Sequence, residues 1–517
     1  MKKRFLAAAI LPSAVAVVLA NPALASGPVQ VSGATSPYAA CIPAATQPGR
    51  NYLNAEVEPQ IAVNPANPQN IIGQWHQDRW SNGGGRGIGG AFSRNGGDSW
   101  TDTTVPYSSC APGGLPYERA SDPWVSFGPD GTAYSSALSF DGSTNRNAVS
   151  ATVSYDGGKT WTNQQTIVAY TTAQLFTDKN STTADPVHPG VAYTVWDTLI
   201  SPTDQPDDRI HAQAYTGPAE FSKTTDGGVH WTPPQVIIGS GNRQQTIGNI
   251  IVVDPKTDTL YDFTDLFLPP NTPFKGTLSN TMVAFAKSMD GGATWTTPQS
   301  IASFNSVGVH NPNTGRAARV GDGLEEVAID SSTGKLYVVW ESSTNFEKNV
   351  NQAAGTFDNE VLFTSSADGG GTWSAPKAIS TFSGMPVFTP TVAVNADGTI
   401  AVTYYDSREL TPTNTTSWPV DYWVTYSTDG GQTFGNEQHV SGPINLNAAP
   451  VARGLFLGDY EGLASLGTNF EALFVQTNCG GFDSTSPLCQ PASSTVTPTP
   501  NTDPTNVFSA TLTPPNR

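Results

Sequence analysis

Acidic and basic residues and one tyrosine recur at equivalent places along this chain, next to segments whose apolar pattern predicts β-strands. Carboxylates can exchange protons with a substrate, and arginines can hold an anionic group. One set stands near the start of the first strand of each repeat: Glu58, Arg119, Asp122, Asp178, Lys179, Arg319, Glu325, Glu326, Arg453, Asp459, Tyr460 and Glu461. A second set stands at the end of the strand that follows: His76, Asp78, Arg79, Asp197, Glu341, Asp406 and Arg408. Whether these side chains meet depends on how the strands are arranged.

An internal repeat predicts that arrangement. The pattern S-x-D-G-G-x-T-W occurs six times with small variations, and consecutive starts lie 61, 70, 64, 78 and 61 residues apart. The copies cover residues 93–100, 154–161, 224–231, 288–295, 366–373 and 427–434, with Asn95 in the first copy where the others have Asp. The Asp suits a tight turn, the Gly pair allows positive φ, and the final aromatic residue can be buried between sheets. We therefore predict that each copy is the turn between the third and fourth strands of a four-stranded sheet.

A fainter signal precedes each turn and recurs seven times: an apolar strand, a short turn and a second strand rich in aromatic residues. In a closed ring of sheets, one sheet is commonly completed by both chain ends, which removes free edges. Residues 507–512 and the region near 29–31 would be the third and fourth strands of that sheet. The sequence thus predicts an all-β, seven-bladed β-propeller with Asp-box repeats, with six blades as the alternative. In antiparallel blades with these turns at the bottom, first-strand starts and second-strand ends share the top face, around one central funnel.

The repeated turns resemble the Asp-boxes of the sialidase superfamily. That resemblance implies a propeller whose boxes lie away from the binding face, three arginines that bind a sugar carboxylate, a Tyr nucleophile assisted by a Glu, and an Asp acid/base. Carried over to this chain, Tyr460 resembles the late catalytic Tyr, and Glu325 or Glu326 resembles the mid-chain Glu. The arginines implied are Arg79, Arg319, Arg408 and Arg453, and the acid/base is Asp78 or Asp122. The family's early Arg-Ile-Pro signature is absent, and Glu58 to Ile61 stands at the equivalent strand start.

Each candidate also has a structural interpretation. Tyr460 suits a packed strand aromatic, and the arginines at 319, 408 and 453 suit ion pairs with acidic residues of neighbouring blades. Asp122 and Asp185 each precede a Pro and suit turns. The six histidines show no paired ligand spacing, so we expect His76 at the surface or an interface, and we expect no metal and no cofactor.

Composition bounds the remaining possibilities. Residues 1–25 have the charged start, apolar run and small-residue end of a signal peptide cleaved after Ala25, which predicts a secreted or periplasmic protein. Residues 26–517 are predicted to form one propeller domain, interrupted by a Ser/Thr/Pro-rich insertion at about 483–506. The four cysteines are expected to form two disulfides, Cys479 with Cys489 and Cys41 with Cys110. The net charge of −18 argues against nucleic acid and anionic membrane as partners.

The resulting functional prediction is an exported glycoside hydrolase that releases terminal sialic acid or a related acidic sugar. Two alternatives remain open. One is a non-catalytic propeller that binds an extracellular glycan or protein. The other is a hydrolase of another sugar in which carboxylates carry out the catalysis.

Overall fold

The computed structural model describes residues 27–41, 46–201, 216–239, 241, 244–268, 281–303, 308–321, 323–343, 359–382, 384–478 and 503–515. The predicted signal peptide, Cys479, Cys489 and most of the 483–506 insertion lie outside the described residues. Within them, the strands form seven four-stranded sheets and one three-stranded sheet. Helix is limited to a single 3-10 turn at Leu446–Ala448 among these residues, and none of their helices is long and apolar enough to span a membrane.

Each four-stranded sheet is antiparallel and is built mostly from consecutive strands. The first strands are β2 (Glu56–Val63), β6 (Arg119–Phe127), β10 (Leu175–Ala184), β14 (Gln245–Asp254), β20 (Glu326–Ile329), β24 (Val387–Val394) and β29 (Gly462–Leu466). The second strands are β3 (Ile71–Gln77), β7 (Ala133–Phe140), β11 (Ala192–Ile200), β15 (Thr259–Phe267), β21 (Leu336–Ser342), β25 (Ile400–Asp406) and β30 (Asn469–Thr477).

The outer half of each sheet completes the pattern. The third strands are β4 (Gly87–Ser93), β8 (Asn147–Ser154), β12 (Ala219–Thr224), β16 (Thr281–Ser288), β22 (Glu360–Ser366), β26 (Pro419–Ser427) and β31 (Thr505–Leu512). The fourth strands are β5 (Thr101–Val105), β9 (Thr162–Tyr170), β13 (Gln235–Ile238), β17 (Gln299–Ser303), β23 (Lys377–Ala378), β27 (Gly435–Asn445) and, from the N-terminal part of the chain, β1 (Val29–Gln30).

The last sheet joins the two ends of the described chain. Val29 pairs with Ser509 and Gln30 with Phe508, so β1 lies at the edge beside β31. The sequence predicts this pairing, although β31 begins two residues earlier than expected, at Thr505. First strands of successive sheets contact one another in order, and β29 contacts β2. This closed ring of four-stranded antiparallel sheets is consistent with a β-propeller.

Face-to-face packing of the sheets explains their composition. Both faces of an inner strand are covered by neighbouring sheets, so strands such as β3, β7, β21 and β25 are buried along their whole length. Fourth strands such as β5 and β9 lie at the perimeter and are partly exposed. The polar residues that remain buried on the inner strands therefore need a specific reason to be there.

The repeated turns connect third and fourth strands, as the sequence predicts. In the second copy, Asp156 Oδ1 accepts hydrogen bonds from Thr160 N and Ser154 Oγ at 2.9 Å each. Gly157 and Gly158 have φ values of 69° and 94°, which non-glycine residues rarely adopt. Asn95 accepts the equivalent bonds in the first copy, so the Asn keeps the turn geometry.

The aromatic residue that ends each repeat packs against the preceding sheet. Trp295 lies 5.6 Å from Phe221, and Phe434 lies 4.8 Å from Phe363, measured between ring centroids. Trp100, in the first sheet, donates to Ser509 of the last sheet at 3.0 Å. These residues therefore join neighbouring sheets around the ring.

Candidate active site

A shared irregularity of the first strands turns their side chains toward a common centre. In the described chain, β2, β6, β10, β14 and β24 each contain a β-bulge at the equivalent place. The bulge residues are Glu58, Asp122, Lys179, Gly248 and Thr389, all with φ between 41° and 77°. A left-handed conformation costs a non-glycine residue about 1–3 kcal/mol, and such strain and bulges concentrate at functional sites. The first three bulge residues meet in one cavity.

Lys179 is the centre of this group. Its Nζ lies 2.8 Å from Asp459 Oδ2, 3.2 Å from Asp122 Oδ1 and 3.3 Å from Glu58 Oε1. Burial disfavours the ammonium, but the three carboxylates outweigh burial and hold the pKa of Lys179 well above its usual value. The lysine is therefore a permanent cation that joins the first, second, third and last sheets. We call Glu58, Asp122, Asp459 and Lys179 the cation-paired cluster.

Two arginines extend the cluster. Arg319, on β19 (Ala317–Arg319), binds Asp459 through Nε at 3.0 Å and through a second guanidinium nitrogen. Arg79 follows β3 and is 2% exposed, yet its Nε has no hydrogen-bond partner among the described residues. Both guanidinium groups lie against the Phe456 ring, at 4.8 Å for Arg79 and 4.7 Å for Arg319. Arg79 is thus a buried cation with hydrogen-bonding capacity to spare.

His76 holds the two bulges of the first and second sheets together. Its Nε2 accepts from the Asp122 backbone N–H at 2.6 Å and lies 3.2 Å from Glu58 Oε2. Burial and then Arg79 keep the pKa of His76 well below its usual value, so the ring is neutral. Of the two placements expected for His76, the surface is wrong: the residue is fully buried between β2, β3 and β6, at the interface of the first and second sheets.

Two of the carboxyl groups that line the cavity, those of Glu58 and Asp122, have opposite pKa shifts. Burial raises the pKa of Glu58 to about 7, against the effect of Lys179 and with a further rise from Asp459 and Asp122. Burial alone would also raise the pKa of Asp122, but Lys179, His76 and the Ser121 hydrogen bond together outweigh it, and the pKa lies below its usual value. Near neutral pH, Glu58 can therefore supply a proton while Asp122 stays ionised, the division of roles found in acid/base pairs.

Glu58, His76 and Asp122 also have spacing that suits a metal ion, since their ligand atoms all lie within 4.8 Å of one another. However, the Lys179 ammonium already pairs with both carboxyl groups. His76 Nε2, the nitrogen that faces them, accepts the Asp122 N–H. The donor set therefore fits the lysine better than a metal ion.

The cavity has a volume of about 540 Å³ and two kinds of wall. One wall carries Glu58, Asp122, Lys179, Arg79, Arg319 and Arg453. The other carries apolar side chains, with Arg119 beside them as the cross-strand partner of Phe140. The charged lining residues of the cavity are Glu58, Arg79, Arg119, Asp122, Asp141, Asp178, Lys179, Arg319 and Arg453. The Arg119 guanidinium already makes its hydrogen bonds within the protein, to Gln47, Pro48, Asn82 and Gly83, and it stacks on Trp80.

The structure brings some of the predicted site residues to this cavity. Asp122, Arg79, Arg319 and Arg453 line it, and Arg453 is exposed. Tyr460 lies behind Asp122, with its hydroxyl 3.5 Å from Asp122 Oδ1 and its ring 5.7 Å from that of Trp124. Burial, followed by the charge of Asp122, holds the pKa of Tyr460 well above its usual value.

Other predicted residues lie elsewhere. Asp78 accepts from Ser36 Oγ and from the Asn54 backbone, both at 2.8 Å, and so supports the N-terminal segment. Glu325 contacts the Asp265 side chain. Glu326 affects Tyr460 only electrostatically, since its charge contributes to the raised pKa of the tyrosine.

Arg408 is also absent from the cavity wall. It binds Asp406 and Glu437 and stacks on Trp423 at 3.6 Å. Arg319 and Arg408 thus both form ion pairs, but Arg408 pairs with residues of its own sheet, β25 and β27, rather than with a neighbouring blade as expected.

Sequence reasoning placed Glu58, His76, Lys179 and Asp459 on the correct face but did not select them as functional. A signal was present: Glu58 and Asp122 each precede a Pro within the first strand of a repeat, as Thr389 does. This recurrence marks the bulge. Cys41 and Cys110 form the predicted disulfide, which is consistent with an exported protein.

Comparison with known proteins gives only distant structural likeness. The sequence has no significant match to any protein-family model or to any curated protein sequence. Among solved structures, it is similar to an alpha-L-arabinanase of Penicillium chrysogenum complexed with arabinobiose, with 11% identity, a TM-score of 0.43 and coverage of 94% of this chain and 98% of that one.

Two further solved structures have similarly low sequence identities and TM-scores. The GH93 alpha-L-arabinofuranosidase of Fusarium graminearum has 14% identity, a TM-score of 0.41 and coverage of 74% and 92%. A Hadza microbial sialidase has 12% identity, a TM-score of 0.40 and coverage of 75% and 70%. These three neighbours are glycosidases, but at this distance their activities say nothing about the reaction of this chain.

Proposed function

We propose that this chain is an exported glycoside hydrolase in which Glu58 is the proton donor and Asp122 the nucleophile. The observation that carries the proposal is the pair itself: two carboxyl groups in one cavity with one oxygen of each within 4.8 Å of the other, one with its pKa raised to about 7 and the other with its pKa lowered. Retaining glycosidases place their carboxyl groups about 5–5.5 Å apart, whereas inverting enzymes need about 6.5–9.5 Å to admit a water.

The proposed reaction has two steps. Asp122 attacks the anomeric carbon while Glu58 protonates the departing glycosidic oxygen, which gives a glycosyl ester and a free alcohol. Water then attacks the anomeric carbon of the ester while Glu58 accepts a proton from that water, and the Asp122 carboxylate is released. Lys179 keeps Asp122 ionised before attack, and neutral His76 fixes the bulge that presents it.

Tyr460 has a positioning role in this proposal. Its hydroxyl faces Asp122 and it is absent from the residues that line the cavity. The resemblance-based role of nucleophile needs the phenol to reach the substrate, and the raised pKa opposes loss of its proton. We therefore expect Tyr460→Phe to lower kcat by a smaller factor than Asp122→Asn.

The proposed substrate class is a glycoside of a terminal acidic sugar, such as sialic acid. Arg79 has an unpartnered buried Nε and Arg453 is exposed at the same cavity, so both can bind a carboxylate. A buried guanidinium with an unmet donor is costly unless a ligand completes its hydrogen bonds.

We also propose that the fold has seven blades. The seven four-stranded sheets close the ring through their first strands. The remaining sheet consists of β18 (Val309–His310), β19 and β28 (Leu455–Phe456), which lie in the connections before the fifth and seventh sheets. It is therefore an addition that carries Arg319 to the cavity and places Phe456 against the Arg79 and Arg319 guanidinium groups.

The test is hydrolysis of aryl glycosides by the purified chain starting at residue 26, comparing sialosides and uronides with neutral glycosides. We expect turnover of an acidic glycoside, with Asp122→Asn and Glu58→Gln each lowering kcat by about 10²–10⁴-fold. Asp141→Asn is the matched control, because Asp141 lines the cavity but pairs with Arg146; its kcat should stay within a few-fold of wild type. Equal activity of all three variants would contradict the assignment.

One observation favours a non-catalytic binding module as the second candidate. Both carboxyl groups already have protein partners on each oxygen, including Lys179, His76 and Ser121. Binding of acidic glycosides by the wild-type chain without any turnover would support this candidate.

A further inference from the structure

The cavity has an apolar wall that the proposed hydrolysis does not use. Leu138 and Phe140 come from β7, Phe176 from β10 and Leu199 from β11, so the wall belongs to the second and third sheets. The rings of Phe140 and Phe176 meet edge to face with centroids 5.8 Å apart. Phe176 and Leu199 are only partly buried by the protein and therefore leave apolar surface in the cavity.

We propose that this wall is a subsite for an apolar aglycone, so that the preferred substrates are glycosides with an aromatic or alkyl leaving group. The proposal rests on the glycosidase function proposed above and names the substrate class of the same site. It concerns the side of the scissile bond away from the acidic sugar.

The placement of the two walls supports this assignment. Arg79, Arg319 and Arg453 come from the connection after β3, from β19 and from the connection before β28. The apolar residues come from different elements, on the second and third sheets. Asp122 and Lys179 are on these same two sheets and join the walls. A sugar whose carboxylate faces the arginines thus directs its leaving group toward Phe140 and Phe176.

Volume and surface chemistry agree with an apolar occupant. About 540 Å³ lies within the range of roughly 300–1,000 Å³ typical of sites that bury a whole drug-sized ligand. Apolar surface left bare in a cavity gains free energy when a ligand removes it from water, at about 25 cal/mol per Å². An aromatic ring placed against Phe140 and Phe176 also gains edge-to-face contact.

The test compares methyl and benzyl glycosides of the same acidic sugar. Methanol and benzyl alcohol are leaving groups of nearly equal basicity, so a difference in kcat/KM reports the added ring rather than the chemistry. We expect the benzyl glycoside to be preferred about tenfold or more. Phe176→Ala should remove most of this preference, measured as the ratio of the two kcat/KM values.

Control variants keep the result specific. Phe382→Ala removes a partly exposed aromatic side chain that is absent from the cavity wall, and it should keep the wild-type preference. Leu199→Ala provides a second change in the wall if Phe176→Ala fails to fold, and it should also reduce the preference. An equal kcat/KM for both glycosides in the wild type, or a preference unchanged in both wall variants, would overturn the proposal.

Calorimetric titration of Asp122→Asn with both glycosides separates the two proposals. Tighter binding of the benzyl glycoside that Phe176→Ala weakens supports the subsite even where the wild type shows no turnover, a result that would reject only the hydrolase. Hydrolysis of both glycosides without a binding difference would reject only the subsite.

Discussion

Two groups of buried carboxyl groups lie on the inner strands and differ in what surrounds them. Glu58, Asp122 and Asp459 share the Lys179 ammonium. A second group, the acid-only cluster, lies on β11, β15 and the start of the fifth sheet, and no Lys or Arg is within ion-pair distance of it among the described residues. Its members are Asp197, Asp262, Asp265 and Glu325.

The difference shows how surroundings decide the state of one residue type. Lys179 and Arg319 hold the pKa of Asp459 well below its usual value despite burial. Burial, reinforced by a neighbouring carboxyl group, raises the pKa of Asp262 and of Glu325 well above theirs. Cations therefore favour the ionised form in the cation-paired cluster, whereas burial favours the protonated form in the acid-only cluster.

The largest expected effect comes from removing the shared cation. Lys179→Met leaves three buried carboxyl groups without their ammonium, so we expect a loss of about 3–5 kcal/mol in the free energy of unfolding at pH 7. Urea denaturation measures it. Lys159→Met, at an exposed position, should stay within about 0.5 kcal/mol of wild type. A similarly small change for Lys179→Met would mean that the cluster does not depend on the lysine.

Matched Asp→Asn changes should have opposite signs in the two clusters. Asp459→Asn breaks two buried ion pairs and should destabilise the fold at pH 7. Asp262 has a raised pKa, so its contribution to stability is present at low pH and is lost as the pH rises toward the folded-state pKa. Asp262→Asn removes this dependence and should stabilise the fold by about 1–3 kcal/mol at pH 8.

The pH dependence of Asp262→Asn provides its control. At about pH 3, below the usual Asp pKa of about 3.9, the carboxyl group is largely protonated in the folded and the unfolded chain, so the substitution should have little effect. Destabilisation by Asp262→Asn at both pH values would show that the acid-only cluster is ionised and paired after all.

A smaller effect concerns the pH dependence of catalysis. Because the pKa of Glu58 is raised to about 7, kcat/KM should fall about tenfold per pH unit above that value as the proton donor is lost. This fall in kcat/KM above pH 7 should be absent from the pH profile of the residual activity of Glu58→Gln. A wild-type profile that stays flat from pH 6 to 9 would exclude Glu58 as the acid.

The sequence predicts the sheets better than the site, for physical reasons. Turn chemistry is local, so Asp156 and its Gly pair identify the third-to-fourth connection, and the six copies of the turn mark six of the seven four-stranded sheets. The position of Arg319 depends instead on β19, a three-residue strand that pairs with the distant β28. No local pattern predicts that pairing.

The bulges explain the remaining site residues. Alternation and apolar content locate the strand that contains Glu58, but a register shift at Val57/Gln60 decides where its side chain points. Lys179 was likewise one of many top-face candidates until its three carboxylate partners were known. Resemblance favoured Tyr460 as the nucleophile, whereas the geometry puts Asp122 between its hydroxyl and the cavity.

The most direct test of the proposed carboxyl pair is the anomeric configuration of the first product. Proton NMR during hydrolysis of an accepted acidic glycoside detects the newly released sugar before mutarotation. The spacing of Glu58 and Asp122, within 4.8 Å, predicts net retention through a glycosyl ester on Asp122. Release of the inverted anomer would contradict the account, because direct attack by water needs a wider separation than these two carboxyl groups have.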